Sequence, residues 1–162
     1  MAIQGASYHQ TNFQLSQAFG GKVIAGDATM EPIGFNGIYL LITQFPMPVI
    51  SGGQEIEVAL PGGGMTYEQS PVKTAVTGPI TFSEVSSGAA SQFLKDVINA
   101  GGYFDARIYE GTPDRHTRSY KMYKCFVNID PADRNWDDRQ QTLKLTGTFF
   151  GNYFGEVFAG NA

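Results

Sequence analysis

A strand is predicted over Tyr103 to Glu110, because apolar and polar side chains alternate from Phe104 to Ile108, and this period of two restricts the fold more than any other feature. In an extended strand, alternate side chains lie on opposite faces of the sheet. One face would carry the apolar residues Phe104, Ala106 and Ile108, and the other would carry Asp105 and Arg107. The pattern predicts a strand with one face buried against a core.

Similar segments recur along the chain. A polar turn after residue 110 leads into a second strand from Ser119 to Ile129, which predicts a hairpin. Further strands are predicted over residues 37–45, 54–60, 72–82 and 140–153. Residues 37–45 are apolar on both faces, as in a strand buried on both sides. In residues 54–60 we expect Ile56, Val58 and Leu60 to point inward and Glu55 and Glu57 to point outward.

A helix is predicted over about residues 88–100. Phe93, Leu94, Val97 and Ile98 form one apolar stripe at helical spacing. Ser86 and Ser87 offer an N-cap, and the pair Gly101–Gly102 supplies a C-terminal stop.

These elements predict a mainly β, α+β fold: a β-sandwich or partly closed β-barrel with one α-helix at an end. The length of 162 residues suits one domain with a substantial core. We assign residues 1–36 to an extended N-terminal arm and loop, and residues 37–162 to the β domain. Phe13, Leu15 and Phe19 are too apolar for a solvated tail, so the arm is expected to dock on its own body or on a neighbour.

The charge distribution argues against a nucleic-acid-binding protein. Residues 1–100 carry seven acids and three bases, whereas residues 101–162 carry eight of each. Neither part has the basic excess that phosphate binding requires. The single cysteine excludes an internal disulfide, and we predict no signal peptide and no membrane span, hence a soluble protein folded in the cytosol.

No combination of residues predicts catalysis, a cofactor or a metal. Cys125 and His116 could form a nucleophile and base, but a buried, inert cysteine is the favoured interpretation. Regular alternation along the strand places Tyr123 and Val127 on the same face as Cys125. The glycines of residues 61–64 lack the Lys-Ser/Thr pair of a phosphate loop. The acidic residues of the following cluster lack calcium-loop spacing and favour a salt-bridged loop: Asp130, Asp133, Asp137 and Asp138.

Two features favour contacts between subunits. Positive charges concentrate on the hairpin of residues 103–129, interleaved with tyrosines, and favour an edge that pairs with an acidic neighbour: Arg107, Arg115, His116, Arg118, Lys121 and Lys124. The sole tryptophan, Trp136, lies in a charged loop and is either a cap on the core or an interface anchor. The apolar strand faces also exceed what one small core needs, which indicates assembly.

The order of these elements over residues 37–155 resembles that of the tail-tube proteins of contractile-tailed bacteriophages, and is similar to that of type VI secretion tube proteins. The resemblance rests on the following succession: glycine-bearing segment Pro61–Gly64, strands Val72–Ala75 and Gly78–Phe82, helix Ala89–Asn99, hairpin Phe104–Glu110 and Tyr120–Phe126, loop Trp136–Asp138, closing strands Leu143–Phe150 and Asn152–Phe154.

The resemblance implies a structural virion protein, not an enzyme, that forms stacked, hexameric rings of a tail tube. Its partners would be further copies of itself and the tail sheath, baseplate hub and tape-measure proteins, with transient passage of double-stranded DNA and no membrane contact. The protein would be made in the host cytoplasm and would end in the virion tail. An acidic lumen would keep DNA from adhering.

On this hypothesis, the candidate lumen-facing residues are Glu55, Glu57, Asp105 and Arg107. The candidate inter-subunit residues are Phe13, Phe19, Arg115, Arg118, Trp136, Asp137 and Asp138. Two alternatives remain open from the sequence. One is a baseplate protein that initiates the tube, and the other is a carbohydrate-binding β-sandwich module that uses Trp136 and the tyrosines.

Overall fold

The computed structural model describes residues 5–162, and these form a mainly β structure with two α-helices. The elements follow in this order: α1 (Ala6–Ala18), β1 (Thr29–Pro32), a 3₁₀ turn (Ile38–Leu40), β2 (Ile42–Gln44), β3 (Ser51–Gly52), β4 (Glu55–Ala59), β5 (Met65–Gln69), β6 (Val72–Lys73), β7 (Ala75–Ser83), α2 (Ala89–Asn99), β8 (Phe104–Gly111), β9 (His116–Ile129), β10 (Lys144–Asn152) and β11 (Val157–Ala159). Among the described residues, no helix has both the length and the apolar character needed to cross a membrane.

One antiparallel sheet dominates the structure and curls into a nearly closed barrel. Its strands lie in the order β1-β8-β9-β10-β7-β2, and β11 pairs with the early part of β9. The two end strands, β1 and β2, therefore carry the free edges of the sheet. Two small sheets, β3 with β6 and β4 with β5, lie outside this path. The predicted fold class, a mainly β fold with a partly closed β-barrel, is confirmed, although the structure has two α-helices where one was predicted.

The predicted alternation of β8 is confirmed. Phe104, Ala106 and Ile108 are buried in the core, whereas the residues between them are only partly buried. Ile108 lies opposite Tyr120 of β9, and Ala106 lies opposite Met122, so the buried faces of the two strands match in register. The barrel interior is thus filled from one face of each strand.

Because of a β-bulge in β9, the residues that surround Cys125 differ from those predicted. Lys124 has a φ of 49° and its backbone N–H donates a hydrogen bond to Asp105 Oδ1 at 3.1 Å. The extra residue shifts the alternation, so that Cys125 and Met122 both lie fully buried while Tyr123 lies on the opposite face. Tyr123 was expected on the same face as Cys125, and that expectation is wrong.

The predicted helix over residues 88–100 is confirmed as α2, and it packs on the barrel core. Phe93 and Val97 are buried, and the Phe93 ring lies edge-on to Phe35 and Phe104. Gly101 and Gly102 end the helix with positive φ angles, as predicted.

The start of α2 differs from the prediction, because Ser86 and Ser87 do not cap it. The Glu84 carboxylate instead accepts hydrogen bonds from the backbone N–H groups of Ala90 and Ser91 and from the Ser91 hydroxyl. These donors, with the Ser91 hydroxyl contributing most, hold the pKa of Glu84 below its usual value. A carboxylate six residues upstream thus satisfies the free N–H groups of the first turn.

Residues 37–45 do not form one buried strand. Gly37 has a φ of 80° and starts the 3₁₀ turn, so only Ile42–Gln44 pairs with β7. A continuous apolar run fits either conformation, since its periodicity does not separate them. The predicted strand of residues 72–82 is likewise divided at Thr74 into β6 and β7.

The prediction of an extended, unpacked arm over residues 1–36 is wrong for two stretches. Residues 6–18 form the helix α1, and β1 belongs to the main sheet, where Met30 and Pro32 enter the core opposite β8. The sheet therefore crosses the predicted boundary at residue 36. The first four residues of the predicted arm lie outside the described residues.

Candidate assembly surfaces

The β4–β5 hairpin is the most exposed part of the β structure. Every residue of its two strands is exposed except Thr66, which is half-buried. Its turn runs from Leu60 to Gly64, with Gly62 and Gly63 both at a φ of 89°, so the glycine-rich segment closes a hairpin. The inward burial predicted for Ile56, Val58 and Leu60 is wrong for the single chain, where these side chains are 38–47 % exposed.

The two faces of this hairpin differ in character. Glu57 lies opposite Tyr67 and Glu55 lies opposite Gln69, which makes one face acidic and polar. Val58 lies opposite Thr66 on the other face, next to Ile56. Within β4 the glutamates and the aliphatic residues lie on opposite faces, as predicted, but Glu68 of β5 lies opposite Ile56 on the aliphatic face. Both faces meet solvent.

Helix α1 is exposed in the same way. It buries no residue, and Phe13 and Leu15 are exposed along it, while Phe19 just beyond its end is 90 % exposed. The helix carries no charged side chain, and 13 residues make a marginal helix in water without packing. Its aromatic residues are available for contact with another surface.

Asp105 and Arg107 lie together on the outer face of β8, away from the core. The Arg107 guanidinium stands 5.1 Å from the centre of the Phe158 ring of β11, and Lys121 of β9 stands 4.9 Å from that of Tyr123. Glu31 lies opposite Arg107 on β1, so this part of the sheet mixes acids and bases. The structure does not bring Asp105 and Arg107 next to the other lumen-facing candidates, Glu55 and Glu57, which lie on the separate hairpin.

The outer face of β10 and β7 carries one charged side chain, Lys144 at the start of β10, and is otherwise rich in hydroxyl groups. Thr148 of β10 lies opposite both Asn128 of β9 and Pro79 of β7, and Thr77 lies opposite Phe150. The Phe126 and Phe150 rings stack at 4.9 Å at one end of this stretch. The sheet thus presents a region of mixed charges at β1 and β8, and a region at β10 and β7 whose only charged side chain is Lys144.

The predicted basic edge is only partly free. Arg118 forms a salt bridge with Glu110, and Tyr120 donates a second hydrogen bond to the same carboxylate at 3.0 Å. The Arg118 hydrogen bond, more than that of Tyr120, lowers the pKa of Glu110. Burial, together with Glu110, raises the pKa of Tyr120 to about 12. Arg115 is exposed at the β8–β9 turn.

Trp136 lies at the tip of the loop between β9 and β10 and is 82 % exposed. The Asn135 side chain accepts a hydrogen bond from the Asp137 backbone N–H, and the Asn135 carbonyl accepts one from Asp138. These bonds close a turn around Trp136. Of the two interpretations, a cap on the core is wrong, since the ring meets solvent.

An apolar cavity of about 400 Å³, here called the seam groove, lies beside the two free edges of the sheet. It is lined by residues 23–28, which precede β1, by residues 42–45 and Met47, which include β2, and by Glu110. No pattern in the sequence indicates this groove, because its walls come from segments that are distant along the chain.

Cys125 and His116 do not form a catalytic pair. They stand nine residues apart on one strand, a separation of about 30 Å. Burial raises the pKa of Cys125 to about 12, so its thiol is a poor nucleophile. Within residues 5–162, no three His, Cys, Asp or Glu side chains gather as potential metal ligands.

Similarity to known proteins is found in structure and not in sequence. No protein family and no curated protein matches the chain by sequence. A chain of the sheath–tube complex of an extracellular contractile injection system (PVC) superposes with a TM-score of 0.59 at 10 % identity, covering 90 % of this chain and 97 % of that one. The chain has a tail-tube-like fold.

Two further structures share this tail-tube-like fold. The tube-terminating cap of the anti-feeding prophage gives a TM-score of 0.56 at 12 % identity, over 86 % of this chain and 92 % of that one. The sheath/tube terminator of the PVC system gives 0.57 at 13 % identity, over 88 % and 98 %. At these identities the similarity establishes the fold alone. The superposition extends over nearly the full length of each compared chain.

Proposed function

We propose that this protein is a structural subunit that self-associates into stacked, hexameric rings of a contractile tail tube. The observation that carries the proposal is the tail-tube-like fold together with apolar surface that the single chain leaves uncovered on the β4–β5 hairpin and α1. Exposed apolar patches on this scale mark protein–protein contact sites. A head-to-tail contact repeated along an axis produces a stack.

In such a tube, the aliphatic face of the hairpin, with Ile56 and Val58, packs on a second copy. The opposite face, with Glu55 and Glu57, then remains in water. If that face lines the lumen, its carboxylates repel the phosphates of DNA during ejection. Asp105 and Arg107 lie on a mixed-charge surface, which repels DNA less, so we favour the glutamates for this role.

The proposed partners are further copies of the chain, a surrounding sheath, a baseplate hub and a tape-measure protein, in a virion tail assembled in the host cytoplasm. Negative-stain electron microscopy of the purified protein tests the central part of this proposal. We expect rings and tubes with a central channel. A protein that stays monomeric and monodisperse at high concentration would contradict it.

A second candidate is a ring that begins or ends the tube and does not extend it. The observation that favours it is the equal similarity to chains of a terminator, a cap and a baseplate, with TM-scores of 0.56 to 0.57. In this case electron microscopy would show single rings or short stacks of fixed length. Each particle would contain only the number of copies that forms one ring.

A further inference from the structure

Helix α1 and the β4–β5 hairpin each lack the packing that their own stability requires. Helix α1 has 13 residues and buries none of them, and a helix of this length is marginal in water. Strands β4 and β5 pair only with each other, and a two-stranded hairpin is marginal as well. Packing against a helix is one way in which such a hairpin becomes stable. Each element can therefore supply what the other lacks.

One side of α1 carries an apolar stripe. At about 100° per residue, Tyr8, Leu15 and Phe19 lie within about 40° of one another around the helix axis. Their side chains are 51–90 % exposed. Phe13 lies on the other side of the helix, which is why the apolar residues of α1 give no clear period. The stripe is a surface that its own chain leaves in water.

The aliphatic face of the hairpin has the dimensions of this stripe. The row from Ile56 to Leu60 is about 13 Å long, and the stripe from Tyr8 to Phe19 is about 17 Å long. Paired strands lie about 4.8 Å apart, so a helix about 10 Å in diameter covers both strands of the hairpin. One helix lying lengthwise is enough to bury the exposed aliphatic residues.

The charges of the two elements are complementary. Residues 5–26 contain no acid and a single lysine, Lys22, whereas β4 and β5 contain three glutamates and no base. Glu68 lies opposite Ile56, on the aliphatic face. Lys22 and Glu68 are both exposed, and within the described part of the chain neither has an ionic partner. Lys22 follows the stripe by three residues, so a helix that ends near Ile56 brings Lys22 to Glu68.

We propose that α1 of one copy packs lengthwise on the aliphatic face of the β4–β5 hairpin of a neighbouring copy, with Lys22 beside Glu68. The inference rests on the proposed self-association and names the element that covers the hairpin. Residues 19–28 connect α1 to β1, and ten residues can span at most roughly 35 Å, which lets the helix reach beyond its own barrel. Helix and hairpin are different patches of identical chains, so the contact is heterologous and repeats from copy to copy.

Disulfide cross-linking between two variants tests the contact directly. Native Cys125 is buried and its pKa is raised to about 12, so introduced cysteines react alone. Leu15→Cys protein mixed with Val58→Cys protein under mild oxidation should give mainly a disulfide between the two different chains. Phe13→Cys is the matched control, because Phe13 is 64 % exposed, against 56 % for Leu15, and lies on the other side of the same helix. Mixed with Val58→Cys, it should give little of this product.

A charge exchange tests the ion pair. Lys22→Glu and Glu68→Lys should each raise the concentration needed for half-assembly by up to about fivefold, as expected for an exposed pair. The protein that carries both substitutions should assemble as wild type does. Glu57→Lys makes the same charge change on the opposite face of the hairpin, and it should not rescue Lys22→Glu. Sedimentation velocity over a range of concentrations measures all five proteins.

Three results would overturn the proposal while leaving the tube function standing. One is assembled protein in which Leu15→Cys and Val58→Cys form no more mixed disulfide than the Phe13→Cys control. Another is a combined charge variant no better than the single ones. The third is a disulfide within one dissociated chain that carries both Leu15→Cys and Val58→Cys, since α1 would then cover its own hairpin. Absence of any wild-type assembly would instead contradict the proposed function, and this inference with it.

Discussion

Strands β4 and β8 have the same sequence pattern and opposite surroundings. Each alternates apolar with polar residues, yet Ile108 of β8 is fully buried and Ile56 of β4 is exposed. Strand β8 lies between β1 and β9 in the barrel sheet, whereas β4 pairs only with β5. The comparison shows that alternation determines which side chains share a face and not what covers that face. In β4 the covering surface has to come from outside the chain.

The largest expected effect is a difference in the free energy of unfolding between Ile108→Ala in β8 and Ile56→Ala in β4. Ile108→Ala should destabilise the fold by about 2–5 kcal/mol, because it leaves a cavity in the core. Ile56→Ala should change the stability of the dissociated chain by no more than about 0.5 kcal/mol. Urea unfolding at a protein concentration too low for assembly measures both. Equal losses would show that the hairpin packs on its own barrel.

A second pair compares two glutamates. Glu84→Ala should cost about 1 kcal/mol, because the first turn of α2 loses the carboxylate that accepts its N–H groups. Glu68→Ala on the exposed hairpin should cost almost nothing. Thermal unfolding followed by circular dichroism measures both changes, and Glu84→Gln, which keeps an acceptor, should fall between them.

A third pair concerns stability at acid pH. Since the pKa of Glu110 is lowered in the folded chain, its contribution is present above the pKa of an unfolded glutamate and is lost as the pH falls through the folded value. Glu110→Gln should therefore reduce stability by less than about 1 kcal/mol near neutral pH, with the difference disappearing in acid. Glu57→Gln, at an exposed position of β4, is the control that removes one carboxylate charge. Urea midpoints between pH 2 and pH 7, compared across the three proteins, provide the test.

The smallest expected effect is on reactivity and not on stability. Native Cys125 should react with a maleimide only as fast as the barrel opens, because the thiol is buried and its pKa is raised to about 12. Cysteine introduced by Val58→Cys should react immediately in the dissociated chain and slowly after assembly. Rapid labelling of Cys125 in folded protein would contradict the described core.

The parts of the fold that could be predicted are those in which local pattern and tertiary packing agree. The alternation of Phe104, Ala106 and Ile108 and the stripe around Phe93 and Val97 both point to surfaces that the chain itself buries. Helix α1 was missed because residues 6–18 show no apolar period and no charge pattern. The bulge at Lys124 was missed because one inserted residue leaves no local trace in composition.

The candidate surfaces were predicted less completely, and for a physical reason. Phe19 and Trp136 are recognisable in the sequence as single apolar residues among polar ones, and both are exposed. The seam groove depends on residues 23–28 meeting residues 42–45 and Met47 across the free edges of the sheet, which only the closure of the barrel produces. Arg118 was predicted to contact another subunit, but the strand pairing brings it to Glu110 of its own chain, with which it forms a salt bridge.

The central claim is that a second copy covers the aliphatic face of the β4–β5 hairpin. Sedimentation velocity of wild type, Ile56→Asp and Ile98→Asp at equal, high concentration tests it most directly. The account predicts large assemblies for wild type and Ile98→Asp and a folded monomer for Ile56→Asp. Assemblies of the same size from all three proteins would contradict it.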